Sequence, residues 1–143
     1  MRSRIPLLAT LGLAVALTSC ATIGTHSKHQ HLDGVELRPT GRVLKGKASW
    51  YATYTQGGSH TASGERLRND ANTAAHKSLP HGTYVNVTNL QNGRSQIVRI
   101  TDRGPFTRGR IIDVTIGVAK RLDFVNAGVV PVHCEIMERV ADD

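Results

Sequence analysis

The sequence predicts an all-β protein, a small closed or nearly closed barrel. Three observations carry that expectation. Glycine supplies 14 of the 143 residues, about 10% against an average near 7%, as suits a chain that turns often. Apolar and polar residues alternate in short runs instead of recurring at helical spacing. Between two such runs stands Asn92-Gly93, the pair favoured in a two-residue type I′ hairpin. A chain of 143 residues is one domain, which excludes a multi-domain enzyme or a transporter.

The N-terminus reads as a leader. Arg2 and Arg4 precede an apolar stretch, Ile5 to Leu17. At about 13 residues it is short of the roughly 20 that cross a bilayer and right for the core of a signal peptide. It ends in Leu17-Thr18-Ser19-Cys20, which resembles a bacterial lipobox. That resemblance implies a signal peptide over 1–19, lipidation and cleavage at Cys20, and, because Ala21 and not Asp follows, sorting to the outer membrane. The domain would then face the periplasm. A multiply acylated cysteine is a far stronger anchor than a single chain. With Cys20 lipidated, Cys134 has no intrachain partner, and its apolar strand parity makes it a small buried hydrophobe.

Residues 20–42, rich in polar, Gly and Thr punctuation, are expected to be a flexible tether. His26, His29 and His31 within it lack the Cys or carboxylate companions of a strong metal site. The folded domain is expected over 43–138. Val43 to Ala52 predicts a first strand carrying Trp50 and Tyr51. Tyr84 to Leu90 and Ser95 to Thr101 form the two arms of the hairpin. Arg110 to Thr115 predicts a further strand, Gly117 to Leu122 a short helix, and Val129 to Met137 the closing strand. The chain carries 18 basic and 11 acidic residues, net +7; without Arg2 and Arg4 the balance is 16 to 11. A basic domain suits an anionic polymer or surface; export to the periplasm argues against nucleic acid.

Four polar clusters can hold chemistry. Thr61-Ala-Ser-Gly-Glu65 is a glycine-bearing turn presenting a carboxylate. Thr73-Ala-Ala-His76 sets a histidine behind small residues. Asp102-Arg-Gly-Pro-Phe106 follows a strand, and Arg110-Ile-Ile-Asp113 carries an acid inside one. Val98, Ile100 and Asp102 share strand parity, so Asp102 is expected at the barrel mouth beside apolar residues. These disfavour its charged form, as a general acid at neutral pH requires. Each cluster has a structural reading as well. Asp102 could make an Asx turn or pair with Arg103, Glu65 could be a solvated turn residue, and His76 a packing histidine. Asp113 reads as structural, paired with Arg110 or Arg99. Trp50 and Tyr51 face opposite ways, so one packs inward and the other can offer a flat face to a sugar, core packing of both being the plainer reading.

Taken together, Gly46-Lys-Ala-Ser-Trp-Tyr51, Thr61 to Glu65, Thr73 to Pro80, Val85 to Leu90, Asp102 to Phe106 and Arg110 to Asp113 resemble the rare lipoprotein A (RlpA) family, over residues 46 to 137. The resemblance implies a six-stranded double-psi β-barrel with one or two short helices, the fold shared with expansins. It also implies lytic transglycosylase action on peptidoglycan glycan strands lacking stem peptides, with Asp102, Glu65 and His76 at the family's active-site positions. Two departures stand out. Family members often read Glu-Arg-aromatic-Asp where this chain reads Glu65-Arg66-Leu67-Arg68, and the chain ends soon after the barrel, without a SPOR domain.

The expectation is thus an outer-membrane lipoprotein, a monomer without metal or organic cofactor, acting on peptidoglycan. Asp102 would serve as acid and then base, Glu65 would stabilise positive charge or assist proton transfer, and His76 would orient a carboxylate or the sugar. Trp50, Tyr51, Arg68 and Arg103 would hold substrate. The alternative is a non-catalytic glycan-binding or expansin-like wall-loosening module using the same groove.

Overall fold

The computed structural model describes residues 29–141 apart from residue 56; the leader, Cys20 and His26 lie outside the described residues. The elements in chain order are β1 (Gln30–Leu32), β2 (Val35–Tyr51), β3 (Thr73–His76), β4 (Tyr84–Asn89), β5 (Ser95–Asp102), β6 (Arg110–Thr115), α1 (Ile116–Arg121) and β7 (Val130–Arg139). Six strands close a barrel in the order β2-β6-β3-β5-β4-β7, with β7 returning to pair with β2. The pairs β2–β6 and β3–β5 are parallel; the others around the ring are antiparallel. Closure removes every free edge from the ring.

Period-two alternation builds the interior. Val85 and Val87 on β4, Val98 and Ile100 on β5, and Ile112 and Val114 on β6 are fully buried in one core. Cys134 joins that core, and burial pushes its thiol up to about 12, consistent with a small inert hydrophobe. Helix α1 begins at Thr115, whose hydroxyl accepts from the Val118 N–H, and Lys120 and Arg121 occupy its last turn, where the helix dipole favours cations.

The structure corrects the expected tether: residues 30–42 are strand, not linker. Asp33 and Gly34 both have positive φ, 53° and 78°, and Leu32 pairs with Val35 across them. This is the two-residue hairpin geometry that Asp-Gly favours. The arm lays Leu32 and Leu37 over Tyr84, Ile97 and Met137 in a second apolar cluster outside the barrel. Asn92-Gly93 behaves differently from expectation. Asn89 pairs with Arg94, so the loop holds four residues, and of its members only Gly93 has positive φ. A tertiary contact decides it: the Asn89 and Asn92 amides both donate to the Leu122 carbonyl at the end of α1. Strand β3 was not among the predicted strands; it is four residues long, too short for alternation to announce it.

Candidate functional site

Strand pairing assembles a polar row on the outer face of the barrel. Ser49 of β2 pairs with Asp113 of β6, Asp113 with Ala75 of β3, and Ala75 with Asp102 of β5. Their neighbours Ala48, Ile112, Val114, Ala74 and Ile100 face the core, so the row faces out. Tyr51 paired with Thr115, and Thr73 paired with Arg99, continue the same face along the strands. Ala75, itself buried, stands between Asp102 and Asp113, whose Cα atoms are two strand spacings apart, about 10 Å.

Asp102 reaches this face through a β-bulge. Ala74 pairs with Ile100 but Ala75 pairs with Asp102, so Thr101 is the extra residue and the parity of β5 flips after Ile100. Asp102 therefore leaves the apolar face on which simple alternation places it. Its Oδ1 accepts from the Ala62 N–H at 3.0 Å and the Arg103 N–H at 2.8 Å. The expected Asx turn is not formed, since no bond comes from the Gly104 N–H; two other backbone donors, Ala62 and Arg103, fix the carboxylate instead.

Asp113 is half-buried and its Oδ1 has no hydrogen-bond partner among the described residues. Burial pushes its carboxyl up to about 6, with the Ser49 hydroxyl and Arg110 opposing and the Asp102 charge adding to the rise. Neither Arg99 nor Arg110 forms an ion pair with it. The expected ion pair of Asp113 with Arg110 or Arg99 is not formed; its carboxyl is instead raised to about 6 and holds its proton to a higher pH than a free aspartate. Its outward parity between Ile112 and Val114 was the available signal.

The glutamate turn is sewn to the end of β5. Ser63 N–H donates to the Thr101 carbonyl, Thr61 N–H to the Glu65 carbonyl, and Gly64 takes a φ of 87° that an L side chain rarely adopts. Arg99 grips the Glu65 carboxylate with both terminal nitrogens, at 2.6 and 2.9 Å, and that hydrogen bonding holds Glu65 below the usual carboxylate range. Sequence reasoning missed this pair. Glu65, Arg66, Arg68, Thr73, Arg99 and Thr101 line a polar cleft of about 340 Å³.

His76 does not join them. It pairs with core-facing Ile112 and opens onto a separate cavity of about 460 Å³ with Val43, Leu44 and Leu79. Its Nδ1 accepts from the Ser78 and Leu79 N–H groups, both at 3.1 Å. Burial, then the charges of Arg103 and Lys77, push its imidazole below the ordinary value, so it is neutral at pH 7.

The expected substrate contacts are revised. Tyr51 is 4% exposed, and burial pushes its phenol up to about 12, with Thr73 opposing and Asp102 and Asp113 adding to the rise. Trp50 packs on the core and its indole N–H donates to the Val125 carbonyl. Neither presents an open ring. The exposed aromatics are Tyr54 and Phe106, at 71% and 80%, each a few residues beyond the end of a strand that carries the row. Arg103 braces the 77–80 loop, donating to the His76 and Leu79 carbonyls. Arg68 pairs with Asp70 at 3.0 Å; it lines the cleft but is turned to its own neighbour. Among the described residues no three His, Cys, Asp or Glu side chains converge as a metal site.

Comparison with known proteins accords with this geometry. Among solved structures, the Streptomyces papain inhibitor aligns with a TM-score of 0.54 at 21% identity, over 67% of this chain and 94% of the inhibitor. The apo expansin of Clavibacter michiganensis aligns at 0.53 and 20%, over 71% of this chain and 52% of the expansin; likeness at that level is likeness of fold. Similarity in sequence runs to the probable endolytic peptidoglycan transglycosylase RlpA of a Nostoc species, 57% identical over 82 residues, 57% of this chain and 22% of the relative. The endolytic peptidoglycan transglycosylase RlpA of Campylobacter jejuni is 41% identical over 124 residues, 84% of this chain and 44% of the relative. The chain therefore spans less than half the length of these relatives. Residues 43–134 match the family model described as lytic transglycolase, and with the closed six-stranded ring this places the chain in the lytic transglycolase family, as an RlpA-like double-psi β-barrel.

Proposed function

We propose that the domain is a lytic transglycosylase that cleaves peptidoglycan between N-acetylmuramic acid and N-acetylglucosamine, preferring strands without stem peptides and leaving 1,6-anhydro ends. The observation that carries the reading is the Asp113–Ala75–Asp102 row, two carboxyl groups brought onto one face of the barrel by strand register, with unlike environments. Unlike environments divide acid from base. Asp113, with its carboxyl near 6, delivers a proton to the glycosidic oxygen. Asp102, fixed by two backbone donors, faces the positive charge that builds on the sugar ring. It then takes the proton of the C6 hydroxyl as that oxygen closes on the anomeric carbon. This division replaces the single carboxylate serving twice. Glu65, paired with Arg99, shapes the cleft; His76 and Arg103 hold the 76–80 turn.

The same reading places the protein on the bacterial outer membrane, lipidated at Cys20 with the barrel facing the periplasm; the run Leu17-Thr18-Ser19-Cys20 supports it. Incubating the full chain with denuded sacculi and reading anhydro-muropeptides by mass spectrometry tests the activity. Wild type yields anhydro ends, whereas Asp102→Asn still binds sacculi and yields none. A wild type that binds without product would leave the non-catalytic wall-binding module standing.

A further inference from the structure

A second cavity adjoins the cleft and has no part in the chemistry above. It measures about 440 Å³ and is lined by Tyr54, Asn69, Asp70, Ile116, Lys120 and Arg121, with Asp70 also lining the Glu65 cleft. The two spaces are therefore neighbours along one surface. Tyr54 is 71% exposed, so its ring is open to a planar partner. The other polar groups are engaged: Asn69 with Thr53, Asp70 with Arg68, and Arg121 with the Asn72 side chain. Lys120 is exposed and forms no ion pair among the described residues. Arg121 likewise forms no ion pair among the described residues but is tied to the neutral Asn72 side chain, which leaves Lys120 as the free cation in a cavity whose remaining feature is an aromatic face.

An apolar ring face beside an ammonium group selects a ligand that is ring-shaped and anionic. In the glycan proposed as substrate, one sugar of each pair carries a lactyl group, and that group is a free carboxylate only where no peptide is joined to it. Resting on the glycan reading above, we propose that this cavity is a subsite for the carboxyl-bearing sugar, with Tyr54 stacking on the ring and Lys120 pairing with the free lactyl carboxylate. The subsite then reads the absence of a stem peptide directly, as a charge.

The test uses the full chain and two oligosaccharides of the alternating glycan, one with free lactyl carboxylates and one with every carboxyl converted to its methylamide. Binding is measured by calorimetry at low and high salt. Wild type binds the free acid about threefold to fivefold more tightly than the amide, the scale of an exposed ion pair, and loses the preference at high salt. Lys120→Gln binds both alike, while Lys120→Arg restores the preference. Tyr54→Ala weakens both ligands by the same factor, about fivefold, because stacking is indifferent to the charge. Both side chains are exposed, so unchanged thermal unfolding confirms that the variants are folded. Full preference in Lys120→Gln, or unaltered affinity in Tyr54→Ala, overturns the subsite. If the wild type still forms anhydro ends, the failure is of the subsite alone; a wild type that neither binds nor cleaves either oligosaccharide overturns the glycan reading with it.

Discussion

Asp113 carries a carboxyl pushed from 3.8 up to about 6 because burial disfavours its charge and Asp102 faces it across Ala75. The folded state thus holds this proton more tightly than the unfolded chain. Its contribution to stability is full below pH 4 and is lost as pH rises through 6, by about 1–3 kcal/mol. Asp113→Asn removes the buried charge. It is expected to stabilise the domain above pH 7 by about 2 kcal/mol, to make no difference near pH 3.5, and to abolish anhydro-product formation. Urea unfolding at the two pH values, with product assays, checks all three. His76 contrasts with it. Neutral, and accepting at Nδ1 from two backbone N–H groups, it holds a turn. His76→Ala leaves those donors without their acceptor and is expected to cost about 2–3 kcal/mol, with His76→Asn recovering part of it; thermal unfolding of the two variants distinguishes them.

At the scale of elements, the arm β1–β2 matters more than its polar composition suggests. Leu37 is fully buried against Tyr84, Ile97 and Met137, so Leu37→Ala is expected to cost about 2–4 kcal/mol. Calorimetry on the full chain would show it as a lowered midpoint; an unchanged one would mean that the arm contributes nothing. Alternation made β4, β5, β6 and β7 legible because each has one face in the core. It could not show the bulge at Thr101, since an extra residue is invisible until a partner strand fixes the register. Helix α1 meets the cleft loop equally closely: a Cβ on Gly117 would stand 2.6 Å from the Asn69 carbonyl. Gly117→Ala must therefore shift the 69–70 backbone, and with it the wall between cleft and subsite.

For the whole molecule, charge and anchoring act together. Without Arg2 and Arg4 the chain keeps 16 basic against 11 acidic residues, and the anchoring proposed above would add local concentration at an anionic polymer that salt weakens. No helix among the described residues is long and apolar enough to cross a bilayer; the proposed attachment is through Cys20. Cys20→Ala is expected to move the protein from the membrane to the soluble fraction and to remove labelling by a palmitate analogue. Equal labelling of wild type and variant would end the lipoprotein assignment.

Sequence by itself determined the class of fold, most of the strands, the short helix and the burial of Cys134, because alternation and helical spacing are local consequences of having one face in a core. It also singled out Glu65, His76 and Asp102 as candidate site residues while reading Asp113 as structural, and its motifs pointed to the family. Only the tertiary structure decided which acid keeps its proton, since that depends on the neighbours β5 and β6 acquire across β3. The same holds for Arg99 choosing Glu65, for Arg68 turning to Asp70, and for His76 facing a different cavity. Such pairings join residues far apart in the chain, and closure of the ring sets which charges meet, a distance that no local pattern encodes.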